Sequence, residues 1–125
     1  MREEIENWLK QANKDLEAAQ KNFEIKEYYI SAFLCQQAIE KGLKAVILLK
    51  TKEKIIGHSL IHLGKLADIP NKFISKLKII SPQYFLSRYP DATEDVPFEL
   101  YDDEIVKNFL AIAKEVLEWI NLQFK

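Results

Sequence analysis

The chain carries three Gly and four Pro in 125 residues, about half the share usual for globular proteins. All seven fall between Gly42 and Pro97, so residues 1–41 and 98–125 contain no helix breaker. That placement constrains the fold more than any other feature. Sandwiches and barrels of short strands need frequent turn residues, and neither end of the chain supplies them. No two glycines stand at G-x-G-x-x-G or G-x-x-x-x-G-K spacing, which excludes the phosphate-cradling loops built on those patterns.

Hydrophobic spacing then calls for helices. Residues 2–25 place Ile5, Trp8, Leu9, Ala12, Leu16, Ala19 and Phe23 three and four apart, the stripe of an amphipathic helix that faces a core. Residues 28–50 predict a second long helix. It is apolar on several sides, along Tyr28, Ala32, Cys35, Ile39, Gly42, Val46 and Leu49 and again at Tyr29, Ile30, Phe33, Leu34, Leu43 and Ile47. Such a helix belongs at the centre of a bundle. Gly42 costs about 1 kcal/mol against Ala inside a helix, so a neighbouring backbone is expected to approach it closely. Shorter helices are expected from about His58 to Ala67 and from Lys72 toward Ile80. Pro82 suits the first turn of a further piece through Arg88, with Ser81 as its N-cap. Residues 89–101, with two Pro and no helical period, read as a loop. The last helix begins near Asp102, a good N-cap, with Ile105, Phe109, Ile112, Val116, Trp119 and Ile120 as its stripe. The expected fold class is all-α, an up-and-down bundle of about five helices forming one domain over residues 1–125.

The formal net charge of -1 conceals a strong polarity. Residues 41–78 carry nine Lys against Glu53 and Asp68, whereas residues 91–104 carry seven acids and no base. Segments of opposite sign can serve an anionic partner or attract each other. Here the acidic loop is expected to fold back on the basic helices or to meet them across a dimer. The single Cys35 excludes a disulfide framework and a multi-cysteine zinc site. No apolar run reaches the roughly 18 residues of a membrane span, and residues 1–15 lack the apolar core of a signal peptide. A reducing cytoplasm, with no membrane contact and no cofactor, is the expected setting.

Three stretches go further: AFLCQQAIEKGLKAVIL at residues 32–48, GHSLIHL at 57–63 and SRYPDA at 87–92. Their order resembles the HEPN domain family (higher eukaryotes and prokaryotes nucleotide-binding). That family shows F-x-x-Q-Q-A-x-E-K-x-L-K-A on a helix, then H-x-L-x-x-L, then an R-Y-P-D turn before the final helix. Trp8, Ala12, Asp15, Leu16 and Ala19 are similar to its first helix. The resemblance implies a bundle of about five helices, a homodimer, and service as the partner subunit of a minimal nucleotidyltransferase in a toxin–antitoxin-like pair. It also implies a nucleotide- or RNA-binding pocket near the R-Y-P-D turn. Family members that are metal-independent RNases carry Arg, four to six residues, then His. This chain departs from that signature: no His follows Arg88, and both His58 and His62 lie upstream.

Arg88, Tyr89 and Asp91 form the densest chemical cluster. Arg88 either grips a phosphate in bidentate fashion, with Tyr89 stacking on a base, or pairs with Asp91 or another acid while Pro90 fixes the turn. His58 and His62 stand four apart, but without an H-E-x-x-H pattern or a third ligand no metal site is expected. His58 is the candidate general base and a candidate to reach the pocket near Arg88. Gln36, Gln37, Glu40, Lys41 and Lys44 make a polar strip, read as a solvated face with a Glu40–Lys44 pair. If Glu40 is buried instead, it needs a partner, and Arg88 is the obvious one. The candidate ligand-binding residues are therefore Arg88, Tyr89, Asp91, His58, Glu40 and Lys44. Three functions follow: a nucleotidyltransferase partner that binds a nucleotide or RNA end, an RNase using Arg88 with His58 or a dimer-related His, and a non-catalytic interaction module.

Overall fold

The computed structural model describes residues 2–125, and among them there are helices and turns but no strand. Two long helices open the chain, α1 (Glu3–Glu24) and α2 (Tyr28–Thr51). The connection between them is three residues long, with Lys26 at φ 65°, so the helices must run antiparallel. No side chain caps the start of α1. Its stripe buries Ile5, Ala12 and Ala19 against α2, and Ser31 Oγ donates to the Ala19 carbonyl at 2.8 Å to pin the two together.

Short elements follow: α3 (Leu60–Leu66), a 3-10 turn (Asn71–Phe73), α4 (Ile74–Ile80) and the single turn α5 (Gln83–Leu86). The expected loop contains two 3-10 turns, Pro90–Ala92 and Pro97–Leu100, each opened by a proline. The closing helix α6 (Asp103–Leu122) is capped by Asp102, whose Oδ1 accepts the Ile105 N–H at 2.9 Å, as the sequence predicts. Its buried face is Val106, Phe109, Leu110, Ile112, Ala113, Val116, Leu117 and Ile120, while Ile105, expected on the stripe, is exposed.

The central place of α2 follows from its apolar breadth. It packs against α1, α3, α4, α5, α6 and the turn at Pro97–Leu100. Ala32, Cys35, Ala38, Ile39, Leu43 and Val46 lose all contact with solvent there. Gly42 is tight for the expected reason, with a different neighbour. A Cβ there would lie 2.7 Å from Cδ1 of Ile120 on α6, so a side chain and not a backbone fills the space.

One sequence expectation is corrected and another takes a different form. Ser81 does not cap α5; it ends α4, and its Oγ accepts the Leu60 N–H at 3.0 Å, tying α3 to α4. The acidic loop makes no ion pair with Lys41–Lys78 among the described residues. Those lysines pair elsewhere: Lys41 with Asp15, Lys44 with Glu40, Lys50 with Asp68, Lys54 with Glu4 and Lys76 with Glu115. Carboxylates on α1, α2 and α6 and in the turn after α3 meet these five, while Lys52, Lys65, Lys72 and Lys78 make no ion pair among the described residues. The loop docks instead through Pro97–Leu100 on α2 and through Tyr101, which donates its hydroxyl to Gln83 and meets Phe109 edge-on.

Two outcomes are expected. Gly42→Val should lower unfolding stability by about 1–3 kcal/mol, because Ile120 is fully buried and cannot step aside. Urea unfolding followed by circular dichroism measures this. Burial pushes the Cys35 thiol and the Tyr101 phenol each up to about 12. Both stay protonated in the fold after they would ionise in the unfolded chain, so the folded state holds more protons. Stability should therefore fall as pH rises from about 9 toward 12, and Cys35→Ala should remove the first part of that slope.

Candidate functional site

The site is assembled from the middle of α2, the connector before α3, and α5 with the turn after it. Gly57 adopts φ 127°, a backbone angle that side chains rarely tolerate, and it turns the connector back toward α2. His58 therefore precedes α3 and does not lie on it, because Ser59 is the cap and its Oγ accepts the His62 N–H at 3.3 Å. His62 is exposed. Among the described residues no cluster of three metal-ligating side chains forms.

The polar strip on α2 is not a solvated face: Gln36 and Glu40 are buried, and Gln37, Lys41 and Lys44 are half-buried. Gln36 is fully enclosed and the Glu40 side chain is 6% exposed. Glu40 Oε1 accepts from Gln36 Nε2 at 3.1 Å and from His58 Nδ1 at 2.9 Å; Oε2 accepts from Lys44 Nζ at 3.1 Å. A buried carboxylate left unpaired is costly, and three donors meet that need here. Its partners are His58 and Lys44, not Arg88 as the sequence suggested. Gln36 also reaches the His58 carbonyl at 3.3 Å, so the connector is held by both backbone and ring. Because a carboxylate only accepts, His58 Nδ1 is the donor in this contact.

Tyr84 on α5 links the two halves of the site. Its ring stacks on His58, with centroids 3.8 Å apart and planes 13° from parallel. The Arg88 guanidinium carbon lies 4.2 Å from the same ring, 4.7 Å from Phe33 and 4.8 Å from Tyr89. Arg88 Nε donates to the Tyr84 carbonyl at 2.8 Å. Asp91 makes no ion pair with Arg88. Arg88 Nη2 is buried and finds no acceptor among the described residues. Stacked guanidinium groups gain about 0.5–2 kcal/mol per contact from the ring quadrupole, which fixes the fork while one of its donors stays unpaired.

His58, Tyr84, Phe85, Tyr89, Asp91 and Ala92 line a groove of about 560 Å3, within the range of small-molecule sites. His58, Tyr89 and Asp91 thus come together as the sequence suggested, with Arg88 against the Tyr84 and Tyr89 rings. Glu40 and Lys44 are not part of the lining. Glu40 sits behind His58, and Lys44 turns toward the Trp8 ring, 5.7 Å away. Tyr84 and Phe85 carry no signal of their own in the sequence reading, and Phe33 stands there only as an apolar helix position. The available signal was spacing: Tyr84 with Arg88 and Phe85 with Tyr89 are i,i+4 pairs, which share a face in helical backbone.

These features define an all-helical bundle with an aromatic groove that His58 lines, Arg88 being outside the lining and stacked on the groove's Tyr84 and Tyr89 rings. The chain belongs to the HEPN domain family, whose sequence profile matches residues 5–123. The archaeal HEPN homologue ST0689 is similar at 34% identity and a TM-score of 0.83, with 100% of both chains covered. The TT1696 protein of Thermus thermophilus is 28% identical with a TM-score of 0.88, covering 98% of this chain and 99% of that one. A HEPN domain protein of Thermotoga maritima, 22% identical with a TM-score of 0.69 and 92% and 94% covered, shares the fold. No protein of curated function matches the chain.

Removing the Glu40 carboxylate strands Gln36 and Lys44. Glu40→Ala should cost about 2–4 kcal/mol, with Glu40→Gln costing less because it keeps an acceptor for His58. Denaturant unfolding of the two variants provides the comparison.

Proposed function

We propose that this chain is a nucleotide- or RNA-end-binding partner subunit of a minimal nucleotidyltransferase, in a toxin–antitoxin-like pair. One observation carries the binding reading: the Arg88 guanidinium, fixed on three aromatic rings with Nη2 unpartnered, stands beside a groove lined by His58, Tyr89 and Asp91. A planar fork with free donors is suited to phosphate oxygens, and exposed aromatic rings are suited to a base. In this reading Arg88 takes the phosphate, Tyr89 faces the base, and Asp91 accepts from sugar or base donors. Glu40 and Lys44 position His58 and touch no ligand. The partnership rests on the family's R-Y-P-D turn, present here as Arg88 to Asp91. Residues 1–125 act as one unit, and a homodimer is part of the same proposal.

The second reading is a metal-independent RNase. It is favoured by the pair of His58, oriented through Nδ1 by Glu40, and Arg88, both on the Tyr84 ring. His58 Nε2 would take the proton of a ribose 2′-hydroxyl as that oxygen attacks the adjacent phosphorus. The bond to the 5′-oxygen would break, that oxygen taking a proton from water to leave as a hydroxyl, and a cyclic phosphate would remain, with Arg88 stabilising the charge on the phosphoryl oxygens.

Isothermal titration with AMP at moderate salt tests the first reading. Binding is expected in the wild type, with a loss of at least tenfold in Arg88→Ala. Arg88→Lys should not restore it, since an ammonium cannot reproduce the stacked fork. Absence of heat with the wild type overturns the binding reading. Degradation of RNA in excess chelator, abolished by His58→Ala, would replace it with the RNase. A small nucleotidyltransferase encoded beside this chain and co-eluting with it at fixed stoichiometry checks the partnership.

A further inference from the structure

A second groove adjoins the first. It holds about 440 Å3 and shares His58, Tyr84 and Phe85 with its neighbour, so these side chains form a ridge between two continuous compartments. Phe85 stands on that ridge with 54% of its surface exposed. It is steadied edge-on by Tyr84 at 4.9 Å and packs against Tyr89 at 6.3 Å. An aromatic ring so exposed gains nothing from the core, and its flanking rings hold it in place on the surface.

The chemistry of the two compartments differs. The first has a carboxylate, Asp91, at its edge, which accepts from hydroxyl or amino donors. The second has apolar walls at Ile61 and Pro82, and Lys78 at its rim. Lys78 is exposed and makes no ion pair among the described residues, unlike the five lysines of residues 41–78 that are matched to carboxylates. Ser59 and Ser81 also line this compartment. Each hydroxyl accepts a backbone N–H, from His62 and Leu60 respectively, and so keeps its own proton for an outside acceptor. A free cation, two hydroxyl donors and apolar walls beside an exposed ring match one further nucleotide of a strand. The combination of cations along a backbone with aromatic platforms for bases is how single strands are held.

We infer that the occupant is a single strand of RNA at least two nucleotides long, crossing the Phe85 ridge, with Lys78 on the second phosphate. This rests on the nucleotide-binding reading above and decides between its two ligands, a free nucleotide and an RNA chain.

Titration of the whole chain with AMP and with the tetranucleotide tetra-adenylate tests it. Tetra-adenylate is expected to bind at least tenfold more tightly than AMP. Lys78→Ala should weaken tetra-adenylate by about tenfold, lower the salt dependence of its binding by about 0.7 in slope, and leave AMP within twofold. Phe85→Ala should weaken tetra-adenylate by at least fivefold, in line with the loss of one stacking platform. Both side chains are exposed, and thermal melts of the variants serve as the folding control. Equal affinity for the two probes, both dependent on Arg88, overturns the two-compartment inference and leaves the nucleotide reading standing. Indifference of tetra-adenylate binding to Lys78→Ala and Phe85→Ala overturns it as well. Failure of the wild type to bind either probe overturns both readings.

Discussion

A carboxylate buried in the middle of the most apolar helix sets the terms for the rest of this molecule. Glu40 lies on α2, and its neighbours on that helix are core residues such as Ile39 and Leu43. A charge at that depth persists only where donors surround it. Gln36 and Lys44 come from the same helix at i−4 and i+4, so helix geometry alone delivers them. The third donor, His58, comes from a connector eighteen residues away and fixes the path of the chain between α2 and α3. The same connector places the His58 ring on Tyr84, so one buried acid links the core to the groove. A second buried acid, Asp15 on α1, is met in the same manner by Gln11 at 2.8 Å and by Lys41 of α2 at 2.6 Å. The two carboxylates tie α2 to α1 and to the connector before α3.

Around this frame the site divides its labour. Glu40 and Lys44 are enclosed and serve His58, whereas Tyr89, Asp91 and Phe85 are exposed. Arg88 stands between these groups. It is stacked on rings from α2 and α5, bonded to one backbone carbonyl, and still carries an unpaired donor. An unpaired buried donor is ordinarily removed by selection for stability. Its retention beside a groove is what turns an arrangement of stacked rings into a candidate site.

Charge is distributed differently from what linear counting suggests. The basic segment and the acidic loop do not neutralise each other through ion pairs within the chain. Helix-borne partners come first, because a lysine on α2 or α4 is within reach of acids on α1, α2 and α6 as soon as the helices pack. Asp91 is left facing the groove and Lys78 faces the adjoining one, two opposite charges on either side of an aromatic ridge.

Sequence alone determined the helical class, the two long opening helices, the Asp102 cap and the central place of α2. These depend on local propensity and on a hydrophobic period that is legible over twenty or more residues. It also brought forward His58, Arg88, Tyr89 and Asp91, through the order of three short motifs. The identity of the partners across elements was decided only by the folded chain. Glu40 took His58 and not Arg88, Ser81 bonded to α3 and not to its own helix, and Gly42 yielded to Ile120. Tyr84 and Phe85 gained their importance from rings and loops distant in sequence. Pairings of this kind are set by which side chains meet once helices have packed, and that geometry has no period along the chain to be read.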